Sequence, residues 1–330
     1  MRRIIKHVFL TMALIALTLL ALSCGVSFET TAPDVTETEE VTDAPVMEVV
    51  PMPYEVWGFD GAELITGVNC RNVVLCEAGT MRAIASKNSS ELMYPASMTK
   101  VMTFIVAYEN AASLGDKTAI SQEMKNKYPG ASRIGIDAGD ILTTEQLLYA
   151  LILESDTDSA IALAEYVSGS EEEFVKLMNA KCEELGLVST KFANVTGLHD
   201  PNHYTTAAEM ASIFAYALDI PLFKQVVTTP TYVTYLEYYK NGVLTEYRMT
   251  FQNTTVSSAK GRFSQNGMSL SFNGGEIIGG KTGYTDEAKH CLALLVKGDD
   301  GKEYILISAK AANGKTSASD CLYVCKNYIK

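Results

Sequence analysis

The chain has 330 residues, 47% hydrophobic and 20% charged, with a formal net charge of -12. That is enough apolar material for one large domain or two ordinary ones. The acidic balance excludes nucleic acid as a partner, because a phosphate backbone needs a basic face and no Lys/Arg cluster occurs after the first six residues.

Residues 1–24 read as a signal peptide. Arg2, Arg3 and Lys6 make a positive start, and an apolar run follows over 8–23. That run is short of the roughly 20 residues a bilayer span needs. Cys24 follows it directly, where a lipoprotein signal carries its lipid acceptor, although Ala21 replaces the usual large aliphatic residue three positions earlier. Two readings stand: lipid attachment at Cys24, which would tie the N-terminus to a membrane, or a cleaved signal with an incidental cysteine. Either places the protein outside the cytoplasm. Residues 25–55 carry no Lys or Arg, while Glu29, Asp34, Glu37, Glu39, Glu40, Asp43 and Glu48 accumulate among Thr, Pro and Val, the composition of a disordered tether. A catalytic domain is expected over 56–330.

β-Branched residues predict short strands over 65–70, 73–76 and 81–85. Pro95 precedes a helix over 98–110 that is apolar on nearly every side, the mark of a helix buried mid-domain. Residues 143–167 read as helix interrupted by Ser155-Asp156-Thr157-Asp158, with Thr143 and Gln146 as a capping box. Ser170 caps a helix ended by Gly186, and another is expected over 206–218. Strands over 231–239 and 243–251 flank Asn241-Gly242, a hairpin signal. Three more strands (276–281, 291–297, 304–309) and a helix over 316–328 close the chain. The order predicts an α+β fold: an antiparallel sheet completed by both chain ends and flanked by helices, with a helical subdomain inserted between them.

Seven cysteines are present; a Cys70–Cys76 bridge across a turn is one option, whereas Cys182 and Cys291 read as buried thiols and Cys321–Cys325 as an unfavourable pair on one helix.

Ser97-x-x-Lys100 puts a hydroxyl and an amine one helical turn apart, so the amine can take the hydroxyl proton in a dry site. Ser257…Lys260 fits the same spacing but lies in a Thr/Ser-rich stretch expected to be solvated surface. Lys281-Thr282-Gly283 ends a strand; a cation beside a hydroxyl can hold a carboxylate, and Gly283 admits another backbone. Ser155-Asp156-Thr157 puts polar groups inside an apolar helix, which is costly unless they face a site. His199 and His203 have helical zinc spacing, but Pro201 separates them and no further ligand set follows, so no metal is expected.

The blocks Tyr94-Pro95-Ala96-Ser97-Met98-Thr99-Lys100, Ser155-Asp156-Thr157-Asp158 and Gly280-Lys281-Thr282-Gly283-Tyr284-Thr285-Asp286-Glu287-Ala288 resemble, in order, the three signature motifs of the D-alanyl-D-alanine carboxypeptidases, low-molecular-weight penicillin-binding proteins related to class A β-lactamases. The stretches 197–207 and 251–254 are also similar to that family, and the likeness runs over about 60–325. It implies a β-lactamase/transpeptidase-like fold without cofactor. The family's small C-terminal β domain is expected to be absent. It implies Ser97 as nucleophile, Lys100 as base, Ser155 as proton relay, Thr157, Lys281, Thr282, Gly283 and Tyr284 as substrate-binding residues, and the Ser97 and Tyr284 N–H groups as oxyanion hole. The substrate would be a peptidoglycan stem peptide, and β-lactam antibiotics would inhibit covalently. Two departures stand out. Thr157 occupies the place of a family Asn and offers only a hydroxyl. Lys289-His290 replaces a Gly–aromatic pair and has no assigned role. Two other readings are a β-lactamase-like hydrolase, which would need a carboxylate to activate the deacylating water, and a catalytically weak penicillin or muropeptide sensor.

Overall fold

The computed structural model describes residues 62–329. The expected signal peptide, Cys24 and the acidic tether lie outside the described residues.

The two ends of this region build one sheet. Its strands are β1 (Glu63–Leu64), β2 (Asn72–Glu77), β3 (Ala83–Lys87), β10 (Ser271–Phe272), β11 (Gly275–Thr285), β12 (Lys289–Gly298) and β13 (Glu303–Ala311). They lie in the order β1-β3-β2-β13-β12-β11-β10, antiparallel throughout except for the β1–β3 pair. The central strands read as continuous apolar runs because both faces are covered. Val74, Cys76, Ala293, Leu295, Ile305 and Ile307 face one core, and Val73, Leu75, Leu292, Leu294 and Leu306 face the other.

The inserted helices cover the first face. They are α1 (Lys100–Asn110), α2 (Gln122–Lys127), α3 (Thr144–Leu153), α4 (Thr157–Ser168), α5 (Glu171–Glu184), α6 (Ala207–Asp219) and α7 (Pro221–Thr228). Helix α1 is buried from Lys100 to Ala107, as its unbroken apolar surface requires. Thr143 and Gln146 complete the capping box of α3, Asp156 caps α4, and Gly169 ends α4 with φ +79°. The short α8 (Arg262–Gln265) and the C-terminal α9 (Gly314–Tyr328) cover the other face. The short strands β4 (Leu92–Met93) and β7 (Thr205–Thr206) pair with each other, and a separate sheet joins β5 (Lys117–Ala119), β6 (Ile141–Thr143), β8 (Thr231–Lys240) and β9 (Val243–Gln252). Both turn residues of the β8–β9 hairpin, Asn241 and Gly242, have positive φ, the geometry that Asn-Gly supplies.

Three expectations need correction. Residues 65–70 are not a strand. Gly67 turns the chain at φ +76°, and the Asn69 and Cys70 N–H groups donate to the Asp320 carboxylate instead of to a neighbouring strand. Cys70 and Cys76 are both free, and they point into opposite cores across the sheet. Ser257 is buried, not solvated; its Oγ accepts from Lys260 N at 2.9 Å. The short helices α2 and α7 went unread, α2 because it is mostly polar.

Candidate active site

The 3₁₀ turn Ala96–Thr99 leads into α1 and carries Ser97. Ala96 sits at φ +48°, a strained conformation for a residue with a Cβ. Two glycines clamp this turn. A Cβ on Gly197 would lie 1.9 Å from Ala96 O, and one on Gly283 would lie 3.0 Å from Pro95 O. The loop after Asn194 and strand β11 can therefore close on the backbone of Ser97 only because neither carries a side chain there.

Lys100 is wholly buried. Its Nζ donates to Thr196 O at 2.7 Å and stands 3.4 Å from Ser97 Oγ. Burial disfavours the ammonium form and pulls the pKa down to about 7; Asp156 opposes this. The loop that supplies Thr196 O is organised by Asn194, whose Oδ1 accepts from Thr196 N, Thr196 Oγ1 and Gly197 N. His203 ties the same loop to the turn that carries Ser97. Its Nδ1 accepts from Ala193 N and its Nε2 bonds Thr99 Oγ1 at 2.7 Å, which fixes the Nε2–H tautomer. Burial lowers its pKa to about 4. Sequence reasoning missed Asn194, although Asn-x-x-Gly is an Asx-turn signal.

Ser155 lies in the break between α3 and α4 at φ +59°. Its Oγ is buried and makes no hydrogen bond. An orphaned hydroxyl is costly, and here it lines an open cavity. Asp156 points away from the cavity to cap α4 through Ser159 N and Oγ. Thr157 lines the cavity, and its N–H donates to Ser132 O on the rim.

On the opposite wall, β11 presents Thr282, Gly283, Tyr284 and Thr285. Thr282 Oγ1 bonds Thr254 Oγ1 at 2.9 Å, and Tyr284 is half exposed at the mouth. Lys281 is wholly buried and does not line the cavity; its Nζ donates to Thr282 O. Its pKa lies well below the ordinary lysine range through burial, then through repulsion by Lys100 and Arg262. The cleft has a volume of about 380 Å³ and also receives Glu154 and Arg262. Glu154 is already occupied: Gln252 N and Lys260 Nζ both donate to it. Arg262 is a second residue the sequence did not reveal, since it stands 19 positions before Lys281 (281 − 262) in a stretch without pattern. A larger groove of about 630 Å³ between α7 and β11 is lined by no serine, cysteine or histidine.

The family model described as D-alanyl-D-alanine carboxypeptidase matches residues 62–309. D-alanyl-D-alanine carboxypeptidase DacF of Bacillus subtilis is 34% identical over 231 residues, which cover 69% of this chain and 54% of the relative. DacC of Escherichia coli is 33% identical, over 44% of this chain and 38% of its own length. The chain thus spans about half or less of the length of these relatives. It spans 72% of the D-alanyl-D-alanine carboxypeptidase of Streptomyces sp. strain K15, at 33% identity over 66% of this chain. The crystal structure of the Streptomyces K15 DD-transpeptidase superposes with a TM-score of 0.70 and 26% identity, over 80% of this chain and 97% of that one.

Proposed function

This chain belongs to the D-alanyl-D-alanine carboxypeptidase family, and from that premise we propose that it removes the terminal D-alanine of peptidoglycan stem peptides through an acyl-enzyme on Ser97. The observation that carries this reading is a serine hydroxyl 3.4 Å from the Nζ of a wholly buried lysine whose pKa is brought down to about 7. A neutral amine at neutral pH can accept the Ser97 proton as Oγ attacks the carbonyl between the two D-alanines. The oxyanion is assigned to the Ser97 and Tyr284 N–H groups, where a developing charge is worth most. Ser155 Oγ, unpartnered in the resting site, passes the proton to the leaving D-alanine nitrogen. Thr282 receives the terminal carboxylate, with the Lys281 amine behind it shaping the local field. Water then hydrolyses the ester.

Glu154 weighs against the β-lactamase reading. It is a carboxylate on the cavity wall, but its bonds to Lys260 and Gln252 leave it poorly placed to activate a deacylating water. A time course separates the three readings. Incubation with diacetyl-Lys-D-Ala-D-Ala should release D-alanine over many turnovers, while penicillin should give one long-lived adduct per chain. Multiple-turnover penicillin hydrolysis without D-alanine release would establish a β-lactamase. A penicillin adduct with no D-alanine release would establish a sensor.

A further inference from the structure

Arg262 lines this cavity, and among the described residues no carboxylate pairs with it. Lys100 is committed to Thr196 O and Ser97, and Lys281 to Thr282 O. Lys260, just outside, is paired with Glu154. Lys260's partner Glu154 is thereby taken, and no other carboxylate on the cavity wall reaches Arg262. Its main chain is pinned by Arg262 N donating to Thr254 O at 2.9 Å, beside the Thr254–Thr282 hydroxyl pair. The side chain runs over Gly314 at the start of α9, where a Cβ would come 3.4 Å from its Cδ, 3.5 Å from Nη1 and 3.6 Å from Nε. A half-buried guanidinium of this kind is costly unless an anion arrives.

The aim of that guanidinium is set by His290. Arg262 Nη1 stands 3.0 Å from His290 Nδ1. Arginine has no acceptor, so the imidazole must accept at Nδ1 and carry its proton on Nε2. His290 lies on β12 directly opposite Tyr284 of β11, and the two rings pack at a 36° tilt with centroids 4.5 Å apart. Tyr284 is in turn held by its hydroxyl donating to Asp286 at 2.7 Å. The chain Asp286, Tyr284, His290, Arg262 thus runs from the mouth of the cleft to its cationic wall. Burial, and after it the Arg262 charge, holds the imidazole below its ordinary range, which favours the accepting neutral form.

We infer that His290 is a positioning residue that aims Arg262 at the free carboxylate of the substrate, making the pair a determinant of selectivity for peptides with an ionised C-terminus. The inference rests on the carboxypeptidase reading above and gives the Lys289-His290 departure a purpose. A guanidinium meets a carboxylate with two parallel N–H groups, so a small error in its orientation removes one of the two bonds. His290 Nδ1 supplies the acceptor that fixes Nη1, and a ring without an acceptor at position 290 would not make that bond.

The test compares diacetyl-Lys-D-Ala-D-Ala with a carboxylate-free D-alanyl thioester and reads the ratio of the two kcat/KM values. Changes in acylation chemistry cancel in that ratio. Arg262→Leu should lower it about 10- to 100-fold, through the KM of the peptide, and His290→Leu about tenfold. The double variant should fall no further than Arg262→Leu alone, because His290 acts through Arg262. His290→Gln, which keeps an acceptor, should recover most of the wild-type ratio. Additive losses in the double variant, an unchanged ratio in His290→Leu, or equal failure of Gln and Leu would each overturn the inference. If the wild type turns over neither substrate, the carboxypeptidase reading itself fails, and that outcome is visible before any variant is made.

Discussion

Ser97→Ala is expected to abolish covalent labelling by penicillin and to lower D-alanine release by on the order of 10⁴-fold or more, since the bond-forming atom is gone. Intact-mass spectrometry should show one adduct on the wild type and none on the variant. The fold should survive. Ser97 Oγ makes one long contact, 3.4 Å to Lys100 Nζ, and that amine keeps its 2.7 Å bond to Thr196 O when the hydroxyl is removed. The thermal midpoint should therefore move little, as for loss of one weak hydrogen bond worth about 1 kcal/mol or less. Penicillin labelling that persists in a well-folded Ser97→Ala protein would remove Ser97 from the nucleophile's place. Ser257, the other serine with a lysine three residues on, is a poor substitute, because its buried Oγ is engaged by Lys260 N.

Lys100→Met should cost about 10²- to 10⁴-fold in acylation, the usual worth of a general base. The wild-type acylation rate should rise with pH through about 7 and level off above it, because Lys100 must be neutral to accept the proton. Below that point the rate should fall roughly tenfold per pH unit. Stability should move the other way in the variant. The folded pKa of Lys100 is depressed from 10.5 to about 7, so between those values the unfolded chain binds more protons than the folded one. Folding is thus penalised by this residue at neutral pH, and the penalty fades only as pH rises toward 10.5. Methionine carries no charge to bury, so Lys100→Met is expected to be at least as stable as the wild type near pH 7. Stopped-flow acylation across pH, with thermal melts of both proteins, checks both halves. A flat pH profile, or a variant that melts well below the wild type, would contradict the base assignment.

Much of this was legible from local pattern. The buried α1 declared itself by apolar residues on every side, the β8–β9 hairpin by Asn241-Gly242, and the break before α4 by a run of polar residues in an apolar helix. The order of strands and helices was sufficient to place both chain ends in one sheet around a helical insert. What the sequence hid is what depends on distant residues meeting. Residues 65–70 have strand composition, yet their N–H groups go to Asp320, some 250 positions away. Ser257 and Lys260 sit in polar surroundings along the chain, yet one is buried and the other pairs with Glu154, 106 positions away. Lys281 stands in a motif that suggests direct contact with substrate, whereas its side chain lies behind the wall that Thr282 presents. Arg262 and His290 have no shared motif; only the neighbouring positions of α8 and β12 bring them within 3.0 Å.

The central claim is an acyl-enzyme on Ser97 formed from a D-alanyl-D-alanine peptide, and rapid acid quenching with intact-mass and fragment analysis tests it most directly. Wild-type protein mixed with excess diacetyl-Lys-D-Ala-D-Ala and quenched within the first turnovers should carry a covalent adduct with the mass of the peptide minus one alanine. Fragmentation should place it on the segment containing Ser97. Turnover without any such adduct, or an adduct on another residue, would contradict the account.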